Sequence, residues 1–144
     1  MPADFKPFDK AEWLRLEKKA DELRRLTVQT TVWGGSGHIG GAMSAMDAMT
    51  ILYHRFMKLD VNNPDMEDRD RFVLSKGHCT PALYSTLAQR GFFPLEELKQ
   101  FRRIDGHMSG HAEMRHVKGV DMSTGSLGQG VSAAAGMALG AKKM

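Results

Sequence analysis

The sequence is poor in several features that mark specialised classes of protein. Cys79 is the single cysteine among 144 residues, which excludes an intramolecular disulfide framework and is typical of a reducing cytosol. No apolar run approaches the roughly 18 residues that a membrane span needs, and the charged start MPADFKPFDK has no signal-peptide core. We therefore predict a cytoplasmic protein that does not enter a membrane.

Charge of one sign is not concentrated in any block. The 20 lysines and arginines stand against 17 aspartates and glutamates, and both signs are mixed along the N-terminal third. This mixture is typical of solvated helix faces, so nucleic acid is not an expected partner. With 42% hydrophobic residues, no repeat and no linker-like stretch, residues 1–144 are predicted to form one domain or part of one.

Helix signals are clear in the first half of the chain. A first helix is predicted to begin at the capping residue Asp9 and to end at Gly34-Gly35, with an apolar stripe formed by Trp13, Leu16, Ala20 and Leu23. A second helix is predicted from a capping box, Ser44 with Asp47, followed by the apolar residues Ala48, Ile51, Leu52 and Phe56. The glycine-rich stretch GGSGHIGG lies between the two helices.

One short apolar segment carries a strand signal. RFVL, residues 71–74, is predicted to be a buried strand of a parallel sheet. It leads into SKGH, residues 75–78, after which Thr80 and Pro81 are predicted to start a helix that ends at Gly91. Ligands of open α/β sheets bind where strands end and helices begin, so the sequence predicts a site at SKGH.

Three of the six histidines share a local pattern. His38, His78 and His111 each follow a glycine in a predicted loop, where the backbone can approach a ligand while the imidazole faces it. A surface position remains the alternative for any one of them alone. His54 lies within a predicted helix, where a structural or exposed position is expected.

A zinc site is a further alternative for the histidines of GHMSGHAEMRH. His107 and His111 are four residues apart, as in zinc-binding helices, and His116 follows. That spacing requires a helix, and Gly106 and Gly110 would each cost about 1 kcal/mol in a helix interior. The sequence therefore favours a loop over a metal site.

The hexapeptide GSLGQG, residues 125–130, precedes a predicted helix rich in alanine and glycine. It has neither the Lys-Ser or Lys-Thr pair of a Walker motif nor the spacing of a dinucleotide fingerprint. Gly125, Gly128 and Gly130 can expose backbone N–H and C=O groups, and the positive end of the helix dipole suits an anion. The alternative is a glycine-rich turn that starts a closely packed helix.

Four segments together resemble the start of the thiamine-diphosphate-binding domain of transketolases: SGHIGG, DRDRFVLSKGH, SGHAEM and GVDMSTGSLGQG. Their order and approximate spacing follow that family from about Leu23 to the C-terminus, and the first and last are most similar to the N-terminal subunit of split transketolases. Deoxyxylulose-phosphate synthases are less similar around the histidines. The resemblance implies an α/β fold with a parallel sheet flanked by helices. This segment is expected to be its helix-rich N-terminal part, incomplete at the C-terminal end.

The resemblance also implies roles for particular residues. Thiamine diphosphate is expected to lie against three residues of the hexapeptide, with the Leu127 carbonyl accepting from the aminopyrimidine: Gly125, Ser126 and Leu127. His78 is expected beside the diphosphate. His38 and His111 are expected to be catalytic residues of the substrate channel that bind substrate oxygens and relay protons.

Two positions depart from the pattern of the longer relatives, which often have proline where this chain has Ile39 and Ala112. The first change is typical of split transketolases. The second predicts a looser loop next to His111.

The implied activity is transfer of a two-carbon ketol group from a ketose phosphate to an aldose phosphate in the pentose phosphate pathway. The ligands of the Mg²⁺ or Ca²⁺ ion that holds the diphosphate are expected beyond the C-terminus of this chain. The activating glutamate is expected on a C-terminal transketolase subunit that carries the pyrimidine-binding domain. A dimer or heterotetramer is therefore expected, and the isolated chain is expected to be inactive. The alternatives are a non-catalytic transketolase-like remnant or interaction module, and a histidine-rich metal-binding protein.

Overall fold

The computed structural model describes residues 6–143, and these residues are mainly helical. The four α-helices are α1 (Lys10–Gly34), α2 (Ile39–Ile51), α3 (Thr80–Arg90) and α4 (Gln129–Lys143). A π-helical turn, Leu52–Phe56, extends α2, and 3-10 turns cover Gly77–Cys79 and Leu95–Gln100. The first five residues of MPADFKPFDK and the last residue of the predicted 1–144 unit lie outside the described residues. None of the described helices is long and apolar enough to cross a membrane.

Helix α1 begins and ends where its local signals predict. The Glu12 N–H donates to the Asp9 carboxylate at 2.8 Å, and Gly35 ends the helix with φ of 69°. Leu16, Ala20 and Leu23 are buried, as predicted, but Trp13 is 52% exposed. Trp13 lies in the first turn, where it lines an open cavity of about 260 Å³ with Phe8 and Ile51 instead of the core. The predicted stripe is therefore wrong at its first residue.

The predicted start of α2 is wrong by five residues. The helix begins at Ile39, and the Ser44 hydroxyl donates to the Gly41 carbonyl inside it instead of capping it. The buried side chains of this segment are Ala42, Met46, Met49, Thr50 and Tyr53, whereas Leu52 and Phe56 are 37% and 47% exposed. The face that packs against α1 and α3 therefore differs from the one that the apolar pattern indicated.

Helix α3 is the central element of the core. Every residue from Thr80 to Ala88 is buried, and the helix ends at Gly91 as predicted, with φ of 95°. Thr80 is the first helical residue and not the cap, because its hydroxyl donates to the Gly110 carbonyl at 3.0 Å. Around α3 pack Leu23, Met46, Leu98, Phe101 and Met108, all of which are at most 1% exposed.

RFVL does not form the predicted strand within the described residues. A strand needs a neighbouring strand that completes its backbone hydrogen bonds, and here the segment bonds to side chains. The Phe72 N–H donates to the Asp121 carboxylate at 2.7 Å, and the Leu74 carbonyl accepts from the Thr124 hydroxyl at 2.7 Å. Leu74 is buried, so the prediction of burial holds at the end of the segment that leads into SKGH.

Helix α4 is largely exposed. Gly130 is its one buried residue among those described, while Val131 and Leu139 are 64% and 63% exposed. The helix lies beside residues 69–73 across a groove lined by Ala134, Met137, Ala138 and Ala141. Its small side chains are therefore mostly exposed and have little close packing among residues 6–143.

Candidate functional site

Segment 75–78, SKGH, contacts the hexapeptide GSLGQG, residues 125–130, although the two motifs are far apart in the sequence. The Gly128 N–H donates to the Ser75 carbonyl at 3.2 Å. A Cβ on Gly130 would lie 2.9 Å from Ser75 Cα, and a Cβ on Gly77 would lie 2.2 Å from the Thr124 carbonyl oxygen. These close backbone contacts require glycine at both positions, and they fix the hexapeptide against SKGH.

The three histidines that follow glycines are brought together here. The rings of His38 and His78 meet edge to face, with centroids 4.7 Å apart. His38 occupies the cap position of α2, and His78 lies in the 3-10 turn before α3. His111 approaches the hexapeptide, because a Cβ on Gly125 would lie 3.8 Å from its Cδ2. His38 and His111 are exposed, and His78 is half-buried.

His38, His78 and His111 form the histidine cluster, and the charges around His78 change its pKa. Burial lowers the pKa of His78, and the positive charges of His38, His111 and Lys76 lower it further. Neutral imidazole has one nitrogen that accepts and one that donates a hydrogen bond. The environment therefore favours the form of His78 that can do both.

Lys76 ties SKGH to the first turn of α2. Its ammonium donates to the Gly41 carbonyl at 2.6 Å and to the Ser44 hydroxyl at 2.8 Å. His38 is the cap residue of the same turn. Lys76 therefore holds the backbone next to His38 in place, close to His78. Lys76 lies inside the SKGH motif, but no role was predicted for it from the sequence.

The backbone carbonyl of His111 is held by two hydroxyl groups, one of them from a buried side chain of α3. The hydroxyl of Tyr84, which is fully buried, donates to the His111 carbonyl at 3.0 Å, and the Ser109 hydroxyl donates to the same oxygen at 2.5 Å. Burial raises the pKa of Tyr84 to about 12, so this donor keeps its proton. Sequence reasoning missed Tyr84, whose only local signal is its place on the helix that follows SKGH.

The predicted loosening of the loop at Ala112 is wrong. Ala112 is 4% exposed, and its N–H donates to the Gly77 carbonyl at 3.1 Å while its carbonyl accepts from the Thr124 N–H at 3.1 Å. A proline has no N–H and could not make the first of these bonds. Alanine at this position therefore adds a hydrogen bond between two motifs.

A buried ion pair lies behind the hexapeptide and was also missed from the sequence. The guanidinium of Arg69 contacts the carboxylate of Asp121, and their side chains are 9% and 2% exposed. The same carboxylate accepts the Phe72 N–H. The pair joins the segment before SKGH to the start of the segment that ends in the hexapeptide.

The residues present fit a thiamine diphosphate cofactor. Gly125, Ser126 and Leu127 are exposed, and Gly125 lies next to His111. Within residues 6–143, their N–H groups and the Leu127 carbonyl make no hydrogen bond, so these groups can bind a ligand. A cavity of about 240 Å³ next to them is lined by residues 122–126, Gln129 and Gly130. Exposed backbone groups before a helix of fifteen residues suit an anionic ligand.

The histidines of GHMSGHAEMRH are not gathered into a metal site. His107 pairs with Glu97 at 3.1 Å, away from the contacts of His111. Among the described residues no three His, Cys, Asp or Glu side chains are arranged to hold a metal ion. The zinc alternative therefore has no support in the geometry.

Comparison with known proteins gives one consistent result. The family model described as the transketolase thiamine diphosphate binding domain matches residues 16–144. A 6-deoxy-6-sulfo-D-fructose transketolase subunit from a Clostridium strain is 48% identical over 124 residues, which are 86% of this chain and 45% of that protein. The transketolase of Sinorhizobium medicae is 43% identical over 127 residues, which are 87% of this chain and 18% of that protein.

The structural comparison agrees. Transketolase from Leishmania mexicana superposes with a TM-score of 0.83 and 37% identity, over 86% of this chain and 19% of that one. The chain thus spans less than half the length of the subunit from Clostridium and about a fifth of the longer relatives. The matched region, the three clustered histidines and the exposed glycine hexapeptide all agree, and the chain belongs to the transketolase family.

Proposed function

We propose that this chain is the N-terminal part of a transketolase that transfers a two-carbon ketol group from an anionic ketose to an aldose phosphate. The observation that carries the proposal is the arrangement at SKGH, where the exposed backbone of Gly125–Leu127 lies beside the histidine cluster. A relative named for 6-deoxy-6-sulfo-D-fructose supports a donor that ends in either a phosphate or a sulfonate.

Thiamine diphosphate would be held by groups of this chain that have no other hydrogen bond among residues 6–143. The Leu127 carbonyl would accept from the aminopyrimidine, and the N–H groups of Gly125 and Ser126 would be available to the cofactor. His78, whose pKa is lowered by burial and by the neighbouring charges, would donate toward the diphosphate. When bound, the cofactor supplies the electron sink that breaking and forming the carbon–carbon bond require.

His38 and His111 bind the hydroxyl and carbonyl oxygens of the sugar and move its protons. Both are exposed on the side of the cluster away from the core, where a sugar can reach them. Their backbones are held rigidly, His38 through Lys76 and His111 through Tyr84. Fixed positions matter because a proton-transferring group must lie within hydrogen-bond distance of the reacting oxygen.

Other parts of the enzyme complete the site. The Mg²⁺ or Ca²⁺ ligands come from a segment outside this chain, and a partner subunit with a pyrimidine-binding domain supplies the activating glutamate. A site divided in this way requires assembly as a dimer or heterotetramer, which we propose to be cytoplasmic. The isolated chain is therefore inactive even with the cofactor and the metal.

The test compares the isolated chain with a full-length version assembled with its partner subunit. Ketol transfer from fructose 6-phosphate to an aldose phosphate is measured with and without thiamine diphosphate. We expect transfer only from the assembled protein with cofactor. Turnover by the isolated chain would overturn the division of the site, and cofactor binding without any transfer by the assembled protein would favour the non-catalytic alternative.

A further inference from the structure

Glu113 and Ser123 form a side-chain hydrogen bond between two segments of the candidate site. The Ser123 hydroxyl donates to the Glu113 carboxylate at 2.8 Å, and both residues are half-buried. Glu113 lies two residues after His111, and Ser123 lies two residues before Gly125. The bond therefore joins the segment that carries His111 to the segment that leads into the hexapeptide.

Two further hydrogen bonds orient this contact. The carboxylate oxygen of Glu113 that accepts from Ser123 also accepts from the Arg115 N–H at 3.1 Å. The Ser123 hydroxyl in turn accepts from the Met114 N–H at 3.0 Å. The bonds from Arg115 and Ser123 lower the pKa of Glu113, so its carboxylate is ionised at neutral pH. A hydrogen bond to an ionised acceptor is roughly twice as strong as one between neutral groups.

A backbone bond joins the same two segments at the neighbouring residues. The Thr124 N–H donates to the Ala112 carbonyl at 3.1 Å. Two segments joined at a single hydrogen bond can still rotate about it, whereas a second bond at adjacent residues also fixes the angle between them. The bond between Glu113 and Ser123 is that second attachment.

We infer that Glu113 is a positioning residue, which holds His111 in place relative to Gly125 through its bond to Ser123. The inference rests on the proposed function, which assigns His111 to the substrate and Gly125 to the cofactor. The placement matters because substrate and cofactor must be aligned to react, and a shift of about 1 Å can lower the rate by about 10²-fold. Glu113 acts through His111 and is not assigned a contact with either ligand.

The kinetic experiment uses the assembled enzyme with Glu113→Ala, Glu113→Gln and, as control, Glu67→Ala, which changes an exposed residue of the loop before SKGH. We expect Glu113→Ala to lower kcat by about 10–10²-fold, while KM and thiamine diphosphate affinity change much less. Glu113→Gln should keep most of the turnover, because its amide oxygen can still accept from Ser123. Glu67→Ala should change kcat less than about twofold. An unchanged kcat in Glu113→Ala, or an equal loss in Glu67→Ala, overturns the inference.

Ser123→Ala tests whether the two side chains act as a pair. It should lower kcat much as Glu113→Ala does. The double variant should lose little more than either single variant, because each change removes the same hydrogen bond. Losses that multiply in the double variant would show that the two residues act separately, and would contradict positioning through Ser123.

A general loss of stability is distinguished by Thr30→Val. This change removes a buried hydroxyl contact with Ser85, which joins α1 and α3. Thermal unfolding gives the stability of this variant and of Glu113→Ala, and kcat is then measured at a temperature at which both are folded. Thr30→Val should keep the kcat of the parent. A loss of kcat as large as that in Glu113→Ala would show that lowered stability alone explains the effect.

NMR spectroscopy of this chain tests the geometry without activity. His111 Cδ2 would lie 3.8 Å from a Cβ on Gly125, so the ring proton on that carbon should show a nuclear Overhauser effect to the Gly125 α-protons. The effect should weaken or disappear in Glu113→Ala and remain in Glu113→Gln and Glu67→Ala. A signal of parent strength in Glu113→Ala overturns the inference.

A failure of the proposed function is recognised separately. If the assembled parent transfers no ketol group from fructose 6-phosphate, the proposed function fails, and the placement of His111 by Glu113 is judged by the nuclear Overhauser effect alone.

Discussion

The imidazole rings of His38 and His78 meet edge to face with centroids 4.7 Å apart and planes inclined by 68°. The two residues are 40 positions apart in the sequence and belong to different elements, the cap of α2 and the turn before α3. Their contact joins a residue proposed to bind the substrate to one proposed to bind the cofactor. A positive charge on the His38 ring lowers the pKa of His78.

The contact between these two rings predicts that the pKa of His78 changes when the His38 ring is removed. His38→Ala should raise the pKa of His78, because the variant removes a neighbouring charge and part of the ring that shields His78 from water. NMR titration of the His78 ring protons in this chain measures the change. His116→Ala, an exposed histidine outside the cluster, is the control and should leave the His78 pKa unchanged. An unchanged pKa in His38→Ala would contradict the coupling.

The proposed roles predict that turnover and cofactor affinity separate. In the assembled enzyme, His38→Ala and His111→Ala should each lower kcat by about 10²–10⁴, the usual range for a lost general acid or base. Thiamine diphosphate affinity should change little, because the proposed contacts of the cofactor are at Gly125–Leu127 and His78. Steady-state kinetics and calorimetric cofactor titration make the comparison. Near-normal turnover with collapsed cofactor affinity would reassign both histidines to the cofactor.

His54 predicts an acid-dependent loss of stability. Burial, together with the charges of Arg90, Lys19 and Arg15, lowers its pKa to about 4. Its Nε2 is buried without a hydrogen-bond partner among residues 6–143. The unfolded chain therefore binds a proton at His54 between pH 6.5 and about 4 that the folded chain does not.

Stability contributed by neutral His54 should be present above pH 6.5 and decrease as the pH falls toward about 4. The decrease attributable to this half-buried group should be about 1–3 kcal/mol. Urea unfolding between pH 4 and pH 7 measures it. In His54→Gln, which does not titrate, the slope of unfolding free energy against pH should be smaller. An identical slope in both proteins would show that other groups cause the acid sensitivity.

The buried pair of Arg69 and Asp121 predicts that a small change in one side chain causes a large loss of stability. Asp121→Asn keeps the size of the side chain but leaves the Arg69 cation uncompensated, so unfolding free energy should fall by about 3–5 kcal/mol. Denaturant unfolding measures the loss. Glu96→Gln breaks the exposed pair with Lys99 and should cost less than about 1 kcal/mol. Similar losses in the two variants would contradict the importance of burial.

Two glycines predict opposite outcomes for the same substitution. Gly77→Ala would place a Cβ 2.2 Å from the Thr124 carbonyl oxygen, so backbone must move and stability should fall by about 1–3 kcal/mol or more. A Cβ on Gly136, inside α4, would meet nothing within 4 Å, and Gly136→Ala should strengthen the helix by about 0.5–1 kcal/mol. Denaturant unfolding tests the first variant, and amide exchange in α4 tests the second. Tolerance of Gly77→Ala would show that SKGH and the hexapeptide are not in fixed contact.

Three helix ends, and the glycine–histidine and hexapeptide motifs as local patterns, were recognisable from the sequence alone. Asp9 starts α1, and Gly35 and Gly91 end α1 and α3, because caps and left-handed residues act within a few positions of themselves. The glycine–histidine pairs and the hexapeptide were recognisable for the same reason, since each motif is a short run of adjacent residues.

Contacts between distant residues were decided only by the tertiary structure. RFVL has the composition of a strand, but a strand forms only beside another, and no partner strand lies among residues 6–143. The buried face of α2 depends on where α1 and α3 pack, which its own apolar pattern did not reveal. Tyr84 reaches the His111 carbonyl across 27 positions, and Asp121 reaches Phe72 across 49. Such contacts leave no periodic trace in the sequence, because they form only when the packed core brings the segments together.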